Sequence, residues 1–158
     1  KGEVCTIAND NDPSQVVISG HAGAVERAIA LVKDYGIKRG VLLPVSAPFH
    51  CPLMQPAADA MAQALGEANI NAPLLPVYAN VLASPIAAPG DIRARLVEQV
   101  TGRVRWRESV AAMWDAGVTD FVELGGKVLG PMVKRIAPGA KITSVVTMDD
   151  IEALLGEI

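Results

Sequence analysis

The 158-residue sequence predicts an α/β protein: a parallel-sheet core following a small, partial ferredoxin-like α+β subdomain. Three observations predict it. From about residue 75 onward, short β-branched runs alternate with helical stripes, the order that builds a parallel sheet covered on both faces. Residues 1–46 read strand, strand, helix, strand, a ferredoxin-like unit lacking its first β-α. Apolar residues make up 51% of the chain and charged residues 20%, with a mean hydropathy of +0.31. Core-forming surface is abundant and polar cover is scarce.

The elements follow in order. Val4-Cys5-Thr6-Ile7-Ala8 and Gln15-Val16-Val17-Ile18-Ser19 are β-branched runs separated by Asn9-Asp10-Asn11-Asp12-Pro13-Ser14, so they read as a hairpin with a polar turn. In residues 22–35, Val25, Ala28, Ile29 and Val32 fall on one helical stripe that Gly36 ends. Residues 38–45 return as an apolar strand that leads through Ser46-Ala47-Pro48-Phe49 to His50. The boundary between the units is expected here, with residues 47–158 forming the C-terminal part of the core. A helix over 52–68 and a strand over 75–79 come next. Two helices carry Ile92, Leu96 and Val100, then Val110, Met113 and Trp114. A strand over 120–124 enters Gly125-Gly126, a helix is striped by Leu129, Met132, Val133 and Ile136, and a strand over 142–146 precedes a closing helix.

Composition excludes several classes. A net charge of −3 gives no general basic face for nucleic acid. No apolar run approaches the ~20 residues that cross a bilayer. Lys1-Gly2-Glu3-Val4 carries no signal-peptide pattern, and Cys5 and Cys51 share no metal-ligand or redox spacing. The expectation is a cytoplasmic protein with reduced thiols and no metal. The apolar excess fits a piece whose faces belong against a missing segment; a somewhat Ala/Val-rich globular domain is the alternative.

His50 is the residue that can carry chemistry. A strand that delivers an imidazole to the lip of a sheet is a common way to place a general base in an α/β acyl-transfer enzyme. Pro44 and Pro48 fix its approach, and Gln99 and Trp106 follow in Leu96-Val97-Glu98-Gln99-Val100-Thr101-Gly102-Arg103-Val104-Arg105-Trp106. With Asn9-Asp10-Asn11-Asp12-Pro13-Ser14-Gln15-Val16-Val17-Ile18-Ser19-Gly20, these motifs resemble the malonyl-CoA:acyl carrier protein transacylases and the acyltransferase domains of fatty-acid and polyketide synthases. No Gly-x-Ser-x-Gly elbow occurs in the sequence, so it looks like the C-terminal half of such an enzyme.

The resemblance implies a hydrolase-like α/β core with an inserted ferredoxin-like subdomain. It implies transfer of malonyl from the coenzyme A thioester malonyl-CoA, as substrate, to the phosphopantetheine thiol of acyl carrier protein. The intermediate is a seryl ester whose serine lies outside this chain, and no covalently bound cofactor is implied. The N-terminal half of the same enzyme is therefore an implied partner. It would supply the serine, the oxyanion-hole amides and the arginine that grips the malonyl carboxylate, and this chain alone is expected to be inactive. His50 becomes the base for both half-reactions, and Gln99 its orienter through either the backbone carbonyl or the side-chain amide.

Asn9 and Asn11 match amides that contact the acyl group or order the cleft loop; turn chemistry is the alternative. Phe49 favours malonyl over α-methyl acyl groups by crowding. Lys38 and Arg39 begin the strand toward His50 and would steer the acidic carrier protein; a solvated face is the alternative for them and for Lys134-Arg135. Glu123-Leu124-Gly125-Gly126-Lys127-Val128-Leu129 resembles a family strand-to-helix turn shortened by one residue. A helix N-terminus there could bind phosphate, although pairing by Glu123 is the stronger expectation. His21 reads as a helix-start residue. The rival to the enzyme is a non-catalytic α/β module that binds a small ligand or a protein.

Overall fold

The computed structural model describes residues 2–156, and it opens with an antiparallel hairpin of β1 (Cys5–Asp12) and β2 (Gln15–Gly20). The polar stretch expected to be a turn is mostly strand. β1 continues to Asp12 because Ala8, Asp10 and Asp12 alternate inward and are buried. Their carboxylates find arginines there, so ion pairs complete the inward face that apolar side chains began. The turn itself is Pro13 and Ser14, and Asp12 Oδ1 accepts from Ser14 N at 2.8 Å and Ser14 Oγ at 2.7 Å.

His21 starts α1 (Ala22–Leu31), as expected. Its backbone N donates to Val4 O at 2.9 Å, and its Nδ1 accepts from Val4 N at 2.9 Å. A 3₁₀ turn (Val32–Tyr35) extends this helix to Gly36, whose φ of +74° lies in the left-handed region that glycine adopts without penalty.

The strand expected over 38–45 takes no ladder partner among the described residues. Val41, Leu42, Leu43 and Val45 are exposed on both faces of the run, at 50% or more. Continuous apolar runs of this kind suit strands covered on both sides, and a strand needs a neighbour to bond.

Beyond it, α2 (Gln55–Glu67) packs on α3 (Pro89–Thr101), where Arg93 Nε donates to Leu65 O at 2.7 Å. A short antiparallel pair, β3 (Val77–Ala79) with β4 (Ser84–Ile86), lies between them in sequence. The periodicity had not marked β4, which is three residues long with Pro85 at its centre. The last third is α4 (Trp106–Asp115), β5 (Asp120–Leu124), α5 (Leu129–Ile136), β6 (Lys141–Val145) and α6 (Met148–Leu155). β5 and β6 pair in parallel, from Asp120↔Lys141 to Leu124↔Val145, with α5 as the crossover. Thr147 and Asp150 form a capping box on α6.

The α/β class is as expected, but among the described residues its parallel sheet consists of two strands. Val110, Val133, Ala137 and Ala140 are buried together, with Trp106, Trp114, Phe121, Ile136 and Ile142 packed around them. β1 reaches this region directly: it packs on α4 and α5, and Asn9 forms a parallel bridge with Val104. Among the described residues, no helix is long and apolar enough to cross a membrane.

Candidate active site

His50 sits at a bend held from several sides. Val45 N donates to Leu43 O at 2.8 Å and Phe49 N to Ala47 O at 3.0 Å. The buried Cys51 thiol donates to Pro48 O at 3.1 Å. His50 itself has φ +58°, in the left-handed region that few side-chain-bearing residues occupy. Such backbone costs on the order of 1–3 kcal/mol and persists where surrounding structure holds it, commonly at functional sites.

Gln99 lies in the last turn of α3, where carbonyls have no further helical N–H to accept from. Its backbone oxygen is 3.2 Å from His50 Nδ1, and its side-chain Nε2 is 3.3 Å from the same nitrogen. When Nδ1 carries the ring proton it donates to the carbonyl, and Nε2 of the imidazole keeps the lone pair that a general base uses. The residues named from sequence as base and orienter are therefore neighbours across 49 positions of chain.

The segment that follows Gln99 ties several elements together. Gly102 N donates back to Glu98 O at 2.8 Å. Val104 exchanges backbone bonds with β1: its N donates to Ala8 O at 2.7 Å, and its O accepts from Asp10 N at 2.8 Å. Arg105 N donates to Asn80 Oδ1 at 2.7 Å, and Arg105 Nη1 to Val81 O at 2.9 Å. The Arg105 guanidinium also forks onto Glu108 and holds that carboxyl below its ordinary range. Arg107 donates through Nε and Nη2 to the two Asp10 oxygens at 2.8 and 2.6 Å, lowering the Asp10 pKa. Arg135, from α5, reaches Asp12 at 2.7 Å; with Ser14 it holds Asp12 at about 2. A cavity of about 360 Å³ lies beside these ion pairs, lined by Ile7, Asp10, Asp12, Arg103 and Arg107 among others, and neither His50 nor Gln99 lines it.

The other sequence-derived positions are spread more widely. Asn9 and Asn11 are half-buried, out of phase with the buried Asp10 and Asp12 along β1, on the strand bridged to Val104. Phe49 precedes His50 and is 46% exposed. Lys38 and Arg39 are exposed at the start of the unpaired arm. Lys134 and Arg135 are structural: Lys134 Nζ donates to Ala140 O at 2.6 Å, and Arg135 pairs with Asp12. The phosphate reading of the Gly125-Gly126 turn gives way to Glu123, whose carboxylate accepts from Leu129 N at 3.0 Å, Gly130 N at 2.9 Å and Val128 N at 2.8 Å. Those bonds lower its pKa and fill the place an anion would take at the start of α5. Trp106 belongs to the core.

Sequence reading missed Asn80, Arg105 and the Asp10–Arg107 and Asp12–Arg135 pairs. The period-2 spacing of Ala8, Asp10 and Asp12 was a signal for buried carboxylates. Asn80 carries no such signal, because its partners come from far along the chain.

His50 at a left-handed bend, with Nδ1 against a helix-end carbonyl in an α/β frame, leaves Nε2 for proton transfer when Nδ1 carries the ring proton. No family model matches the chain. It is 40% identical over 153 residues to the malonyl CoA-acyl carrier protein transacylase of Bacillus subtilis, covering 96% of this chain and 48% of the relative. It is 47% identical over 137 residues to that of Escherichia coli K12, covering 86% and 44%. Among solved structures, the acyl-carrier-protein-S-malonyltransferase of Bartonella henselae superposes with a TM-score of 0.93 at 50% identity, covering 98% of this chain and 49% of that one. A malonyl-transacylase in complex with its type II polyketide acyl-carrier protein superposes at 0.94 and 37% identity, covering 100% and 52%. The chain spans about half the length of the curated relatives it matches. Over that half, it is similar in sequence and in fold to malonyl-CoA:acyl carrier protein transacylases.

Proposed function

We propose that this chain is the base-bearing, C-terminal portion of an enzyme that moves malonyl from coenzyme A to the phosphopantetheine thiol of acyl carrier protein in fatty-acid biosynthesis. The observation that carries the reading is the 3.2 Å approach of His50 Nδ1 to the Gln99 carbonyl, which leaves Nε2 as a base. In the first half-reaction, His50 Nε2 takes the proton from a serine hydroxyl on the N-terminal half as its oxygen attacks the malonyl thioester. The imidazolium returns that proton to the departing coenzyme A thiolate. In the second, the carrier-protein thiol gives its proton to Nε2 and attacks the seryl ester, and the serine oxygen leaves as a hydroxyl after reprotonation. A carbonyl orients the imidazolium without the countercharge of a carboxylate, which suits a thiol acceptor over water.

Within this reading, Asn9 and Asn11 face the acyl group from β1, Phe49 crowds α-methyl substituents, and Lys38 and Arg39 meet the acidic carrier protein. Support for the first pair is the bridge from β1 to Val104, five residues from Gln99; support for the second is their exposure. The N-terminal half covers the bare apolar arm over 41–45. Free Cys5 and Cys51 fit a cytoplasmic setting. The test is His50→Ala in the full-length enzyme, followed by stopped flow. Both serine acylation and transfer to carrier protein should fall by ~10²–10⁴-fold, since one imidazole serves both steps. Acylation at near wild-type rate would overturn the assignment.

A further inference from the structure

Nδ1 of His50 faces two different partners, an acceptor at 3.2 Å and an amide nitrogen at 3.3 Å, both from Gln99. Only one can be used at a time. The carbonyl needs Nδ1 protonated, whereas the amide N–H needs it bare. Which way the Gln99 amide points therefore matters, and its direction follows from groups whose roles are fixed.

Arg105 N is a backbone donor and bonds Asn80 Oδ1 at 2.7 Å, so the oxygen of Asn80 lies on that side. Arg103 O is a backbone acceptor and takes a bond from Asn80 Nδ2 at 3.0 Å, which agrees. Asn80 Nδ2 also donates to Gln99 Oε1. Gln99 Nε2 must then face the other way, where it meets Gly102 O at 3.3 Å and His50 Nδ1. Two backbone groups thus dictate the orientation of two amides in series.

We propose that Asn80 is a positioning residue: by gripping Gln99 Oε1, it turns the Gln99 amide N–H toward His50, so that both neutral tautomers of the imidazole have a hydrogen-bond partner at Nδ1. Without that grip the Gln99 amide keeps only its 3.3 Å bond to Gly102 O against turning over and offering Oε1 to Nδ1–H beside the carbonyl. Two acceptors would then hold the Nδ1–H tautomer alone. The Asn80 amide bonds Gln99, Arg103 and Arg105, and its link to the ring runs through Gln99. The proposal rests on His50 being the base, but its readout does not need activity.

Of the two histidines of this sequence, His21 and His50, the ring ¹⁵N signals of His50 in the full-length enzyme labelled at histidine are those that a His50→Gln variant loses. Wild type should show His50 ring shifts averaged between the two tautomers. Asn80→Ala should move them to a nearly pure Nδ1–H pattern, and Gln99→Ala should do the same by removing the competing donor. Added to Gln99→Ala, Asn80→Ala should change nothing further, which is the signature of action through that side chain. Should Asn80→Ala fail to fold, Asn80→Asp answers the same question. It still accepts from Arg105 N but has no N–H for Gln99 Oε1, and it too should give the Nδ1–H pattern. Wild-type ring shifts in whichever Asn80 variant folds would overturn the proposal, as would a shift of equal size with and without the Gln99 side chain. Loss of the His50 role in transfer would show separately, as an unaffected rate in His50→Ala.

Discussion

Two stretches meet near His50, and they are built in opposite ways. The segment from Gln99 to Glu108 is bonded in every direction: to His50, to β1 through Val104, to Asn80 through Arg105, and to Asp10 through Arg107. The arm over 37–49 has only short local bonds, and Ile37, Val41, Leu42, Leu43, Val45 and Phe49 are 46–64% exposed. One side of the site is finished within this chain, and the other presents a bare apolar run. The Gln99 side is fixed by bonds that this chain contains, whereas the approach to His50 is left uncovered among the described residues. The same contrast recurs at β5 and β6, packed by α5 yet leaving Leu124 76% exposed.

The largest expected effect comes from breaking the bonded side at its centre. Gln99→Pro removes a helical N–H and crowds the preceding turn, costing ~3 kcal/mol or more, and it displaces the carbonyl that holds His50. Under the proposed function, transfer by the full-length enzyme should fall by at least ~10²-fold. Gln99→Ala keeps the carbonyl and should stay within ~10-fold of wild type. Steady-state rates on malonyl-CoA check both, and equal loss in the two variants would assign the orienting role to the side chain.

Next in size is the Asp12–Arg135 pair. Asp12 is fully buried, and its carboxyl sits at about 2 instead of 3.8, so the ionised form is stabilised by folding. A depressed carboxylate contributes stability that is complete above pH ~4 and is lost as pH falls through the folded value. Asp12→Asn should therefore lower stability by roughly 2 kcal/mol at neutral pH, using ~1.4 kcal/mol per unit. The difference from wild type should shrink between pH ~4 and ~2. Denaturant melts across that range measure it, and a pH-independent difference would assign the loss to packing.

Gly102→Ala tests how tightly the end of α3 must be held. A Cβ there would lie 2.8 Å from Glu98 O and 2.9 Å from Val81 Cγ1, so backbone next to Gln99 must shift. We expect a loss of ~1–2 kcal/mol in stability and a several-fold drop in kcat with little change in KM. The smallest effect on structure belongs to the bare arm. Leu42→Lys should leave the circular dichroism of this chain unchanged, because Leu42 is 64% exposed. It should, however, reduce both binding of a hydrophobic dye by the isolated chain and recovery of activity on mixing with the N-terminal half. A clear loss of helical signal would mean that the arm is already packed.

His50, the hairpin, α1 to α6 and the β5–α5–β6 unit were legible in the sequence, because each rests on local signals: apolar period, glycine stops and proline placement. The pairing of His50 with Gln99 was legible only through resemblance to a family, since nothing local links residues 49 positions apart. The continuation of β1 through Asp10 and Asp12 was not legible. Polar residues in series read as a turn until arginines from α4 and α5 arrive to pair with them. The apolar run over 38–45 erred in the opposite direction, because its composition marks a strand and only a neighbouring strand can make it one. By itself, the sequence determined which residues prefer helix or strand, for those are properties of short stretches. The tertiary structure alone decided that Asn80 grips Gln99, that β1 docks on Val104, and that Glu123 fills the start of α5. Hydrogen bonds and ion pairs between residues distant in sequence form only where folding has brought both partners together.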